Sequence, residues 1–459
     1  MKRYLQLFLS AIIAITLAAC AVDTPQTKPL PESDTKRTYT IMYYCCGGGD
    51  LDKYFEEIAN VHQYTKEPLT ENINLVGQIK WSEGYHSEYS DGSGKVSRFK
   101  YDHKSNSNNY NDFASANYPM VTAENLAEFI SWAKEAAPAD EYIMIFAGHG
   151  NGYHPAFDHD ATRGTIRNDS TKEYLGIQSI RQACEMTGTH FSLMQMICCL
   201  VNCVEYVSEL EPYVDYYLAS CHASTISGGE IYYITEALMQ MEEYDALSVA
   251  NSSKHLVNAT YDYYDADIDL WPITMEHTVT ECEKIAGINE AIRGFVDRVV
   301  EFYDTEAEIG SSAMLQQYGF SAKDIDNALC SAYYPVMKAS SEPYLKDIEW
   351  YRRCYMYDIV DIAHNVAEAT NNAYIRASAE AIRSACEEAI YSQRSINLDD
   401  VERVYYTVTL VNKSQYEALG YEEGGYEATA FDLATGWSRL LKRNNAQYFY
   451  DDVAETSER

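Results

Sequence analysis

Basic side chains are scarce in this chain: 35 lysines and arginines face 69 aspartates and glutamates, a formal net charge of −34. A surface that acidic repels nucleic acid, which speaks against that class of partner. Long apolar runs are also few. Leu5 to Leu17 comes nearest, and it falls short of the roughly 20 residues that a spanning helix needs. No EF-hand pattern occurs, and the second half shows no repeat of fixed period, so neither a built-in calcium loop nor a solenoid is expected. Cys198, Cys199 and Cys203 lie close together, but no CxxC pair or spaced histidine accompanies them, and they read poorly as zinc ligands.

The start of the chain is more informative. Lys2 and Arg3 precede the apolar run, which ends in Leu17-Ala18-Ala19-Cys20. This resembles a bacterial lipoprotein signal: residues 1–19 are expected to be removed and Cys20 acylated. Residues 20–37, with Pro25, Pro29 and Pro31, read as a tether. The protein is therefore expected in the bacterial cell envelope, lipid-anchored on the periplasmic side or the cell surface and touching the membrane through that anchor alone. The 459 residues are 46% hydrophobic, enough for one large core or two interlocked ones. Of 12 cysteines, an odd number remains once Cys20 is set aside, so at least one thiol is free or pairs between chains.

From residue 38 the pattern alternates strand and helix. Strands are expected at Tyr39–Cys45, Ile73–Ile79, Val96–Tyr101, Tyr142–Ala147, Phe191–Cys198 and Tyr216–Ser220. Helices are expected at Leu51–Tyr64, with Asp50 as cap, after Thr122, at Gln178–Met186 and at Val201–Leu210. Continuous apolar strands in β-α alternation predict an α/β fold with a mostly parallel sheet covered on both faces. Past about residue 235 amphipathic stretches dominate, at Ile231–Met241, Ser248–Tyr264, Val279–Tyr303 and Ile359–Ile390. Val401–Val411 reads as one more strand and Glu427–Leu441 as a closing helix, before a polar tail. The expected organisation is an α/β core over 38–235, a helical subdomain over 236–400, and a C-terminal strand and helix over 401–459 that return to the core.

Two strand ends carry the chemistry. Tyr142–Ala147 runs into Gly148-His149-Gly150, and Phe191–Ile197 runs into Cys198-Cys199. A thiol beside an imidazole becomes a good nucleophile at neutral pH, and neighbouring parallel strands can present both. Thr38 to Tyr44, Leu126 to Trp132 with Pro138-Ala139-Asp140, Gly148-His149-Gly150-Asn151-Gly152, and Cys199-Leu200 with Glu205 together resemble the clostripain family of cysteine peptidases. Tyr416, Tyr426, Phe431 and Thr435-Gly436-Trp437 resemble that family's C-terminal region.

The resemblance implies a caspase-like α/β/α sandwich and an endopeptidase whose dyad is His149 and Cys199. It also implies an oxyanion site formed by the backbone N–H groups of Gly150 and Cys199. A helix starting directly after Cys199 would add its dipole to thiolate stabilisation. Cys198 competes for the nucleophile role, because a one-residue shift exchanges the sulfur that faces the site. Family members usually carry Asp-Ala-Cys at the nucleophile, the Asp pairing with an Arg or Lys of the substrate. Here Ile197-Cys198-Cys199 stands instead. Gly148 replaces a common Asp, and Cys221-His222 follow Ser220 where acids are usual. A pocket lined by Gly148, Ile197, Cys198, Ser220 and Cys221 is therefore expected to be less acidic, with a P1 preference not restricted to Arg or Lys. The resemblance also implies self-cleavage in the loop after the histidine: loop 152–174 offers Arg163 and Arg167 for it and Asp158, Asp160 and Asp169 as an attraction for a cation, the alternative being a plain solvated surface loop. Calcium, which activates relatives, enters as an optional ion, and no cofactor is required. Protein or peptide substrates are the expected partners. The alternative is a catalytically weak or inactive relative that binds peptides or proteins at the cell surface.

Overall fold

In the computed structural model the described residues are 37–46, 51–150, 152–153, 166–168, 173–222, 230–240, 248–265, 275–332, 355–396, 403–418 and 425–447. The signal-like segment, Cys20, the tether up to residue 36, Asp50, and the loop residues Asp158, Asp160, Arg163 and Asp169 lie outside them. Among the described residues fifteen strands occur in chain order. The first nine are β1 (Tyr39–Cys45), β2 (Ile73–Lys80), β3 (Glu83–His86), β4 (Asp91–Ser93), β5 (Val96–Asp102), β6 (Ser107–Ala114), β7 (Glu141–Ala147), β8 (Ile166–Asn168) and β9 (Glu173–Leu175). The remainder are β10 (Phe191–Ile197), β11 (Val214–Ala219), β12 (Met275–Glu281), β13 (Met356–Asp358), β14 (Ile390–Ile396) and β15 (Thr407–Thr409).

Nine of them build one sheet in the order β14-β12-β11-β10-β7-β1-β2-β5-β6. The middle five, β11-β10-β7-β1-β2, are parallel; β12, β14, β5 and β6 add antiparallel edges. Alternate residues of each central strand enter different cores. Met42, Tyr44, Met144, Phe146, Met194 and Met196 pack on one face, and Ile41, Tyr43, Ile143, Ile145, Leu193 and Ile197 on the other. This two-sided burial is why these strands read as unbroken apolar runs. The α/β class expected from the pattern is thus observed, with a mixed, mostly parallel sheet.

Helices cover both faces. On the second face lie α1 (Asp52–Ala59), through Phe55 and Ile58, and later Ile231, Ile234 and Leu238 of Glu230–Gln240. On the first face lies Ala123–Ala136, buried through Leu126, Phe129, Ile130 and Ala133. It starts where expected, because the Thr122 side chain accepts from Asn125 N–H at 3.2 Å, and it stops before Pro138. The expected helix Leu51–Tyr64 is instead two pieces, Asp52–Ala59 and Val61–Thr65, broken at Asn60.

The second half differs more from its sequence pattern. β12 and β14 fall inside the stretch expected to be helical and extend the central sheet. Glu276, Thr278 and Thr280 of β12 are fully buried polar residues, so the strand lacks an apolar signature. The helix expected from Val279 begins only at Ile285 and runs to Ile309. Ile359–Ile390 contains two helices, Ile359–Thr370 and Ala373–Ala389, separated by Asn371 at φ 52° and by Asn372, whose side chain caps the second. Among the described residues of Val401–Val411 only Thr407–Thr409 is a strand, and it pairs with β13 outside the central sheet. The closing helix is split at Gly436, which adopts φ 66°. No described helix is long and apolar enough to cross a membrane.

Candidate active site

β7 and β10 are neighbours in parallel register, with Ala147 opposite Ile197. His149 and Cys199 each follow that pair by two residues, so both chains leave the same end of the sheet side by side. This is the end at which open α/β sheets place their sites. The two exits are joined: Gly148 N–H donates to the Ile197 carbonyl at 3.3 Å. Gly150 lies against the peptide of Cys199. A Cβ at 150 would collide with the Cys199 carbonyl oxygen and come within 2.8 Å of both Cys198 Cβ and Cys199 N, so this approach requires glycine. Gly152 has φ 66°, and a side chain there would meet Met356 Cγ at 2.7 Å. His149 and Cys199 are both partly exposed.

The two adjacent thiols have different surroundings. Cys198 is buried, and that burial holds its thiol well above the ordinary range. It is a protonated member of the core. Cys199 packs against the edge of the same core while keeping partial exposure, and a reactive thiol needs that access.

Beyond Cys199 the chain turns sharply. Leu200 is a fully buried, non-glycine residue at φ 64°, a conformation that costs roughly 1–2 kcal/mol. The strained turn is tied down by hydrogen bonds from Leu200 N–H to the His222 carbonyl and from Asn202 N–H to the Ser220 carbonyl, both 2.9 Å. Asn202 Nδ2 also donates to the Tyr405 carbonyl at 3.2 Å, and Thr407 N–H donates to the Asn202 carbonyl at 3.1 Å. The following helix, Val204–Leu210, starts later than the expected Val201. Four residues thus separate Cys199 from that helix, which does not start directly after it as expected.

The expected pocket residues occupy the same end of the sheet. Ile197, Cys198, Ser220 and Cys221 are each 2% exposed or less. Ile197 faces one core and Cys198 the other. Gly148 directly follows β7, with its N–H on the Ile197 carbonyl. Desolvation lowers His222 to about 3 and His277 to about 4, so both imidazoles are neutral at physiological pH. Sequence reasoning overlooked Glu276, a fully buried acid on β12. It accepts from Cys221 N–H at 2.7 Å, from Gln393 Nε2 at 3.2 Å and from the Thr278 hydroxyl. Burial raises it to about 7 despite those donors. The β-branched alternation Thr278-Val279-Thr280 was the available signal for its strand.

Glu205, singled out from the sequence, anchors the helix after Cys199 to the C-terminal region. It accepts from Thr409 N–H at 2.8 Å and from the Tyr426 hydroxyl at 2.9 Å. One turn on, Glu209 accepts from Ala430 N–H at 2.7 Å and pairs with Arg181 at 3.0 Å. Arg167 lies on β8. Among the described residues no group of three or more His, Cys, Asp or Glu could hold a metal ion.

A family model described as the clostripain family matches residues 58–458. No match to this chain was found among the curated proteins. Among solved structures, the chain is similar to an inactive zymogen C11 protease from Parabacteroides distasonis, with a TM-score of 0.57 at 12% identity, covering 88% of this chain and 99% of that one. It is also similar to a secreted C11 cysteine protease from Bacteroides thetaiotaomicron, with a TM-score of 0.58 at 12% identity, covering 87% and 100%. A structure of such a secreted protease in complex with an irreversible peptide inhibitor gives a TM-score of 0.56 at 15% identity, covering 87% and 99%.

Proposed function

The chain belongs to the clostripain family, and from that premise we propose that it is a lipid-anchored cysteine endopeptidase of the bacterial envelope with His149 and Cys199 as its dyad. The observation that carries the reading is the contact between the two strand exits, where Gly150 lies against Cys199 and Ala147 pairs with Ile197. In the proposed mechanism His149 takes the proton of the Cys199 thiol, and the sulfur attacks the scissile carbonyl. The N–H groups of Gly150 and Cys199 stabilise the oxyanion. His149 then protonates the leaving amine, and water hydrolyses the thioester. The anchor at Cys20 follows from the sequence alone; that a similar protease from Bacteroides thetaiotaomicron is described as secreted agrees with export.

The P1 preference is proposed to extend beyond Arg and Lys, because Ile197 stands where the family usually carries an acid. The test is cleavage of a P1-diverse peptide library by the chain from residue 38 onward, beside Cys199→Ala and Cys198→Ala, with and without calcium. Activity lost in Cys199→Ala and kept in Cys198→Ala is the expected result. An exclusively Arg/Lys profile would refute the specificity argument. Absence of cleavage by the parent chain would instead favour a peptide-binding relative.

A further inference from the structure

We propose that Glu276 is a positioning residue for the loop that carries Cys199: its carboxylate holds the main chain at Cys221, and the 220–222 segment so held fixes Leu200 and Asn202. This rests on the reading of Cys199 as the nucleophile. The chain of contacts is short and buried throughout. Cys221 N–H donates to Glu276 Oε2 at 2.7 Å. On either side of Cys221, the carbonyls of Ser220 and His222 receive the N–H groups of Asn202 and Leu200. The Cys221 thiol lies against Asn202, 3.3 Å from its carbonyl and 3.4 Å from its Nδ2. Segment 220–222 is thus clamped between β12 and the turn after Cys199. That turn contains Leu200 in a left-handed conformation, and such a residue persists only where its surroundings over-determine it.

Three donors converge on Glu276: a backbone N–H, the Thr278 hydroxyl and the Gln393 amide. A carboxylate, which carries acceptors only, satisfies all three, whereas an amide would set an NH2 group against one of them. The acid is therefore suited to this position for the hydrogen bonds it accepts, and it need not touch substrate.

The experiment compares Glu276→Gln with Thr278→Val in the chain from residue 38. Thr278→Val removes one donor from the same carboxylate but leaves Cys221 held. For each protein, the rate of Cys199 alkylation by iodoacetamide is read by peptide mass spectrometry, alongside kcat and KM for a cleaved peptide and the urea midpoint. Glu276→Gln is expected to slow alkylation and lower kcat by roughly 10- to 100-fold with KM little changed, while Thr278→Val keeps the parent rates. Equal rates in Glu276→Gln and parent, or equal losses in both variants at equal stability, would overturn the proposal. A parent chain that cleaves nothing would refute the peptidase reading, and the alkylation rates would still decide the role of Glu276. Should Glu276→Gln not fold, amide exchange in the parent decides instead: Cys221, Leu200 and Asn202 are expected to exchange as one unit. Fast exchange at Leu200 and Asn202 beside a protected Cys221 would contradict the proposed coupling.

Discussion

At Gly150 the absence of a side chain lets the peptide of Cys199 come into contact with the histidine loop. Gly150→Ala would force the two loops apart by the size of a methyl group while leaving both strands intact. Displacements of about 1 Å at reacting groups cost on the order of 100-fold in rate. The expected outcome is a drop of that size in kcat/KM with an unchanged circular dichroism spectrum; near-parent kinetics would show that the loops do not depend on this contact. Cys198→Ala should act differently. Its thiol is buried and protonated, so peptide cleavage should persist and the cost should appear as a stability loss of about 1 kcal/mol, read by urea denaturation. The placement of these residues at neighbouring strand ends was legible because they stand out as contrasts, a polar residue between glycines and a cysteine pair at the end of an apolar run. Glu276 was not, because a buried acid on an edge-side strand has no local pattern of its own; two partners distant in sequence, Cys221 and Gln393, give it meaning.

At the scale of elements, the parallel strands could be read because each is buried on both faces, and the helix after Thr122 because its cap and its proline stop are local. The breaks at Asn371-Asn372 and Gly436 were also written locally, as left-handed and capping residues, but amphipathic periodicity on both sides masked them. Asp358 shows what a cap does when it is buried. It accepts from Asp361 N–H at 2.8 Å and from Tyr405 N–H at 2.7 Å, yet burial outweighs these bonds and raises it to about 7. The unfolded chain releases this proton near pH 4 and the folded chain only near 7. This carboxyl therefore stabilises the fold most fully at low pH, and that contribution is lost as pH rises through 7, by up to about 4 kcal/mol. Asp358→Asn removes the titration while keeping an acceptor for the cap. The stability of the parent relative to Asp358→Asn should thus decline between pH 4 and 7, measured by urea denaturation at several pH values. A difference that stays constant would show that the carboxyl is ionised throughout.

For the whole molecule, residues 431–441 belong to the same core as β10, the strand that leads to Cys199. Phe431, Trp437, Leu440 and Leu441 pack in one cluster with Met194, Met196 and Cys198. Trp437 is fully buried and its indole N–H donates to the Thr409 carbonyl at 2.7 Å. Trp437→Ala should cost about 3–5 kcal/mol and lower a single unfolding transition rather than split it, as seen by comparing near- and far-ultraviolet dichroism. Two separated transitions would mean that the C-terminal region folds on its own. Because Tyr405 and Thr407 hold Asn202, and Thr409 and Tyr426 hold Glu205, the turn behind Cys199 lacks part of its support until residues 405–426 have left the ribosome. The order of synthesis then acts as a safety catch. A nascent chain stalled before residue 403 should carry a Cys199 no more reactive than an unfolded thiol, so that the dyad proposed above would stay silent until this later segment has been added.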